Sequence, residues 1–199
     1  MVVSEVDDYP PGRGETLLAL ARSSLTETLT GETSNPPETD WLQQPGACFV
    51  TLKQEGRLRG CIGSIHVHRT LGEDVCENAR AAAFRDPRFP PLIKDELDRT
   101  SIEVSLLSPL EALDFSSEEE LLAQIRPAID GLVLEYQEHR GTFLPAVWES
   151  LPRPGDFLRQ LKRKAGLETD FWSPEAKVWR FTVDHWSEEK GLFAANGGE

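Results

Sequence analysis

Apolar and polar positions along this chain change period several times, and each change marks an element. Leu17, Leu20, Ala21 and Leu25 recur at helical spacing over residues 14–30, and Gly31 closes that helix. Residues 32–45 are polar and contain prolines, an irregular connection that Trp41-Leu42 should anchor. The period then shortens. Gly46-Ala47-Cys48-Phe49-Val50-Thr51-Leu52 and Arg57-Leu58-Arg59-Gly60-Cys61-Ile62-Gly63-Ser64-Ile65 read as the two strands of a hairpin, turning at Gln54-Glu55-Gly56. Strand alternation puts Arg59, Cys61 and Gly63 on one face, with Leu58 and Ile62 on the other.

Helical spacing returns after Thr70-Leu71-Gly72-Glu73, which fits a capping box. The helix it opens runs to about Phe84, with Leu71, Val75, Ala79, Ala82 and Ala83 on the buried stripe and Cys76 beside it. Asp86-Pro87-Arg88-Phe89-Pro90-Pro91-Leu92 ends it as a stiff loop. In residues 101–107, Ile102, Val104 and Leu106 alternate with Glu103 and Ser105, a strand. An acidic first turn at 116–120 caps a short helix to about Ile125, the charges suiting a helix N-terminus. Residues 132–136 and 142–144 form a second hairpin, and Pro145 ends it. Pro154-Gly155-Asp156 opens a helix burying Phe157, Leu158, Leu161 and Ala165, with Gly166 as its stop. Residues 177–186 alternate as a last strand. This order predicts an α+β fold, a largely antiparallel sheet with helices packed on it.

At 199 residues the chain can bury a real core. No run of eighteen apolar residues occurs, and residues 1–13 lack the apolar stretch of a secretory signal. Three cysteines without paired spacing suggest a reducing compartment, so a cytoplasmic protein without a membrane span is expected. The net charge of −13 argues against a general nucleic-acid backbone binder. It leaves room for a local anion site, because residues 153–164 hold Arg153, Arg159, Lys162, Arg163 and Lys164 against Asp156.

The candidate chemistry centres on Cys61. A thiol two residues from a guanidinium lies about 7 Å from it on the same strand face, and Gly60 and Gly63 leave the backbone bare around the sulfur. A cation near a thiol favours the thiolate, which is the nucleophile. A base such as His66 or His68 reaches it only if their loop folds back. Glu103 is a carboxylate between apolar neighbours on an expected central strand and is the candidate acid/base; a solvated face is its other reading. Arg59, Arg88 and Lys164, together with the Gly60 and Gly63 backbone, are the candidate substrate-anion contacts. No phosphate loop, dinucleotide fingerprint or nucleophile elbow is present, and Cys48, Cys61, Cys76, His66 and His68 lack metal-site spacing, so no metal centre is expected.

Leu58-Arg59-Gly60-Cys61-Ile62-Gly63 resembles the signature of the AMMECR-type domain family, also called AmmeMemoRadiSam system protein A. Further matches follow in order: Asp86 to Leu92, Ile102 to Leu107, Asp130-Gly131-Leu132, Gly141 to Pro145 and Lys162 to Leu167, so that the likeness spans residues 17–186. The resemblance implies one AMMECR-type domain over 1–199, ordered from about 14 to 187 with flexible termini at 1–13 and 188–199. It implies a main lobe and a smaller lobe with a cleft between them. It also implies association with a Memo-like protein and a radical-SAM protein, and an enzyme or enzyme subunit modifying a nucleotide, an RNA or a protein. The alternative it carries is a non-catalytic binding or scaffold module for those partners.

Overall fold

The computed structural model describes residues 12–33 and 39–188; the termini expected to be flexible lie, at 1–11 and 189–199, outside the described residues, as does 34–38 of the irregular connection. In chain order the elements are α1 (Arg13–Thr30), β1 (Cys48–Gln54), β2 (Arg57–Gly63), α2 (Leu71–Phe84), β3 (Thr100–Leu107), β4 (Glu111–Ala112), α3 (Glu118–Gln124), β5 (Gly131–Tyr136), β6 (His139–Phe143), α4 (Pro154–Lys164), β7 (Lys177–Phe181) and β8 (Val183–Ser187). Helices alongside antiparallel sheets make this an α+β fold. Among the described residues no helix is long and apolar enough to cross a membrane.

The chain divides into two compact units, residues 1–107 with 184–199, and residues 108–183. Among the described residues there are accordingly two sheets and not the single sheet that the alternation predicts. The first has strand order β2-β1-β3-β8 and the second β4-β7-β5-β6. The expected last strand at 177–186 is broken at Thr182, and its two halves join different sheets. Period-two alternation reports which residues face inward but not which neighbour a strand takes, so this division was invisible to it.

In the first unit, Leu17, Ala21 and Leu25 of α1 and Leu71, Val75, Ala79, Ala82 and Ala83 of α2 are buried with Cys48, Val50, Leu52, Ile102 and Val104 of the sheet. One sheet face therefore carries the core, each large side chain contributing about 2 kcal/mol of burial. The alternate positions Phe49, Thr51 and Lys53 of β1, and Ser101, Glu103 and Ser105 of β3, are partly exposed. Helix α2 starts as expected: Thr70 accepts from the Glu73 N–H and the Glu73 carboxylate accepts from the Thr70 N–H. Its first buried turns bear Asp74 and Asn78, one helical turn apart. Asp74 accepts the Cys48 N–H at 2.8 Å and Asn78 donates to the Cys48 carbonyl at 3.0 Å, which fixes the start of β1.

In the second unit, Phe157, Leu158 and Leu161 of α4 are buried with Leu132, Leu134 and Val178 of its sheet, and Trp148 stacks on Phe157 with ring centroids 3.9 Å apart. The second hairpin turns at Gln137-Glu138, with Tyr136 opposite His139, so β6 begins three residues earlier than the pattern suggested.

Candidate functional site

The first hairpin closes on a two-residue turn, Gln54 lying opposite Arg57, with Glu55 (φ 50°) and Gly56 (φ 76°) both left-handed. Such a turn matches the twist of the flanking strands and explains the glycine. The register then slips by one residue between Leu52 and Lys53, since Leu52 faces Gly60 but Lys53 faces Leu58. Arg59 is the extra residue of this bulge. The bulge takes Arg59 out of the simple alternation and places Leu58 opposite Lys53 and not on the face of Ile62. Arg59 is 7% exposed; its Nη2 donates to Glu96 at 3.0 Å, and its Nη1 is buried without a hydrogen-bond partner. Hydrogen bonds from Arg59, Ile93 and Gln54 hold the Glu96 carboxyl below its ordinary range.

Beyond the bulge the alternation resumes. Cys61 lies opposite Thr51, which lies opposite Glu103 on the other side of β1. Cys61 therefore belongs to the face away from the helices. The Thr51 hydroxyl donates to the Cys61 sulfur at 3.2 Å. Lys53 Nζ donates to Glu103 Oε1 at 2.6 Å, and His185 of β8 brings Nε2 to 4.0 Å from Glu103 Oε2 and Nδ1 to 3.1 Å from the Ser105 hydroxyl. The helix-free face thus carries Cys61, Thr51, Lys53, Glu103, Ser105 and His185 across all four strands.

The sheet ends at β2, and an edge strand exposes every second peptide. Cys61 is such a position. Its N–H donates to Asp86 Oδ2 at 2.9 Å, and its carbonyl accepts from Arg88 Nη2 at 3.3 Å. Asp86 and Arg88 also grip each other, through Nε to Oδ1 at 2.9 Å and Nη2 to Oδ2 at 2.6 Å. Pro87 between them stiffens the loop that presents both. The pair substitutes for the peptide of a fifth strand. Asp86 is 2% exposed in its side chain and Arg88 54%. The Arg88 guanidinium first, then the N–H groups of Cys61 and Arg88, hold the Asp86 carboxyl far below the usual carboxylate range.

The two glycines of the motif have structural explanations. A Cβ on Gly60 would stand 2.1 Å from the Ala82 carbonyl oxygen of α2, and one on Gly63 would stand 2.2 Å from the Phe49 ring. Protein atoms, not open space, occupy both positions where a ligand approach was expected. Lys164 belongs to the second unit, where its Nζ donates to the Thr142 carbonyl at 2.8 Å and sits 5.0 Å from the Phe143 ring centroid. Burial lowers its ammonium below the ordinary lysine value. His66 and His68, in the loop after β2, have rings 6.4 Å apart, and the Cys61 sulfur accepts its hydrogen bond from the Thr51 hydroxyl. Of the sequence-predicted residues, Arg88 therefore meets Cys61 directly, Glu103 shares its face, and Arg59 is occupied by Glu96. Sequence reasoning missed Thr51, Asp86 and His185 as site residues. Asp86 carried a signal, as an acid fixed two residues from Arg88 by proline.

The AMMECR1 family model matches residues 18–186. A protein of Methanothermobacter thermautotrophicus is 38% identical over 185 residues, covering 88% of this chain and 94% of its own length. A protein of Thermococcus onnurineus is 39% identical over 190 residues, with 88% and 90% covered. The crystal structure of the uncharacterized protein PH0010 from Pyrococcus horikoshii superposes with a TM-score of 0.76 at 34% identity, covering 88% of this chain and 91% of that one. With a match of this extent in family, relatives and fold, the chain belongs to the AMMECR1 family.

Proposed function

We propose that this protein is a cytoplasmic enzyme, or a subunit of one, that works through the Cys61 thiol on the helix-free face of the first sheet. One observation carries the reading. Two charged side chains, one of them buried, are spent on fixing the peptide of a single cysteine, whose sulfur is placed by a third residue, Thr51. A reacting atom needs this kind of support, because its rate depends on how tightly neighbours hold its geometry. In this reading Cys61 is the nucleophile and Glu103 the acid/base group. Arg88, half exposed beyond its grip on Asp86, presents positive charge to an anionic substrate. The family resemblance makes a Memo-like protein and a radical-SAM protein its working partners, and a nucleotide, an RNA or a protein the class of substrate.

Cys61→Ser assayed together with those two partners tests the reading: turnover should fall by at least about 100-fold at an unchanged melting temperature. Undiminished turnover rejects the nucleophile. Alkylation of the native protein gives a partner-free check. Burial pushes the Cys48 and Cys76 thiols up, and Cys61 is expected to react first of the three.

A second reading is a binding module that docks the same partners without chemistry. The observation favouring it is the Thr51 hydroxyl, which donates a proton to the sulfur and does not take one from it. Equal recovery of the partners by wild type and Cys61→Ser, with equal turnover, would establish it over the first.

A further inference from the structure

The same face holds a second group of residues that the thiol does not use. Glu103 and Ser105 are two positions apart on β3 and point the same way, and β8 is the neighbouring strand. Between them stands His185, half exposed, with Nδ1 3.1 Å from the Ser105 hydroxyl oxygen and Nε2 4.0 Å from Glu103 Oε2. Lys53 holds the other oxygen, Oε1, at 2.6 Å. A neutral imidazole has one donor and one acceptor nitrogen, so with Nδ1 accepting from the Ser105 O–H the proton lies on Nε2, toward the carboxylate. Nucleophile, base and orienting acid are recognised by this geometry and not by their order in the chain, and the base-to-acid distance is commonly loose without substrate.

We propose that Ser105, His185 and Glu103 form an acyl-transfer site on the face of the first sheet away from α1 and α2, taking carboxylic esters. Ser105 Oγ attacks the acyl carbon and its proton passes to His185 Nδ1. The C–O bond to the alcohol breaks and the alcohol leaves with that proton. Water, deprotonated by the same nitrogen, then releases the acid and restores the serine hydroxyl. Ser105 is the nucleophile and His185 the base. Glu103 is a positioning residue, orienting the ring through Nε2 and stabilising its charged form. The site does not need Cys61; Glu103 is the one residue it shares with the thiol reading.

The test is labelling of the intact protein with a fluorophosphonate, followed by peptide mapping, alongside hydrolysis of p-nitrophenyl acetate. Labelling at Ser105 is expected in wild type and in Cys61→Ser, and its loss in Ser105→Ala. His185→Ala should slow labelling about 100-fold, with partial recovery on adding imidazole, which a purely structural histidine would not show. Glu103→Ala should slow it about 10-fold and Glu103→Asp restore part of the rate. An unlabelled Ser105 in wild type, label on another serine, or equal rates in wild type and His185→Ala would overturn the proposal. Loss of ester hydrolysis in Cys61→Ser with Ser105→Ala unaffected would overturn it as well, while leaving the thiol reading standing.

Discussion

The two units solve the same problem at the edges of their sheets, and they solve it to different depths. Each has a four-stranded sheet ending in a hairpin strand, β2 in one and β6 in the other. On each of these strands a glycine lies under helix backbone, Gly60 beneath Ala82 of α2 and Gly141 beneath Leu161 of α4. On each, a cation donates to an outward carbonyl, Arg88 to Cys61 and Lys164 to Thr142. At β6 the capping stops there. At β2 the cation is itself clamped by buried Asp86, which also takes the N–H of the same peptide. Protection of an edge against stray pairing needs only the lighter device. The heavier one falls at the residue carrying the thiol, and on that difference the proposed role of Cys61 rests.

The comparison breaks most decisively at Asp86. Asp86→Ala strands the Cys61 N–H and frees Arg88, and it should destabilise the first unit by about 3 kcal/mol. Urea unfolding checks the magnitude, and amide exchange at Cys61 should accelerate with it. A loss no greater than that of a surface substitution would reduce the clamp to decoration. Gly60→Ala comes next. Its methyl would meet the Ala82 carbonyl oxygen at 2.1 Å, whereas that of Gly141→Ala meets the Leu161 carbonyl oxygen at 2.9 Å. The expected costs are about 3 and about 1 kcal/mol respectively. The reverse order would show that the α2–β2 approach yields more easily than the α4–β6 one.

A pH scan sharpens the same contrast. The folded-state pKa of Asp86 is depressed, by the Arg88 guanidinium above all. Its contribution is therefore complete above the unfolded aspartate value of about 4 and is lost as pH falls below it. Asp86→Asn should be less stable than wild type at pH 7, and the gap should narrow steadily between about pH 4 and pH 2. A constant gap would mean that the carboxylate charge contributes nothing.

How much of this could be read beforehand follows the range of each interaction. The Glu55-Gly56 turn, the Thr70–Glu73 capping box and the alanine stripe of α2 depend on neighbours within one or two turns, and local pattern found them all. Arg59 was assigned to the wrong surroundings because a bulge adds one residue on one strand and leaves no mark in period-two alternation. The break at Thr182 was missed because both halves of 177–186 keep the same apolar rhythm while serving different sheets. Asp86 and Cys61 are 25 positions apart, and Ser105 and His185 are 80 apart. Only the folded register brings such pairs together. The residue types and spacing singled out Cys61, Arg88 and Lys164 without distinguishing a cation that binds a substrate from one that caps a strand.

That distinction ends on Lys164, where the smallest effect is expected. Lys164→Met removes one hydrogen bond to the Thr142 carbonyl, but that carbonyl sits at a solvent-accessible edge and water can replace the donor. The substitution also relieves the burial that lowers the ammonium pKa. The two changes oppose each other, and stability at pH 7 should stay within about 0.5 kcal/mol of wild type. The sign of the pH dependence is fixed. A lysine whose folded pKa is depressed binds fewer protons folded than unfolded as pH approaches its ordinary value of about 10.4, so wild type should gain slightly on Lys164→Met over that approach. Calorimetric melts of both proteins between pH 8 and pH 10 resolve the difference. A loss as large as that of Asp86→Ala would make the two edges equivalent and remove the structural reason for singling out Cys61.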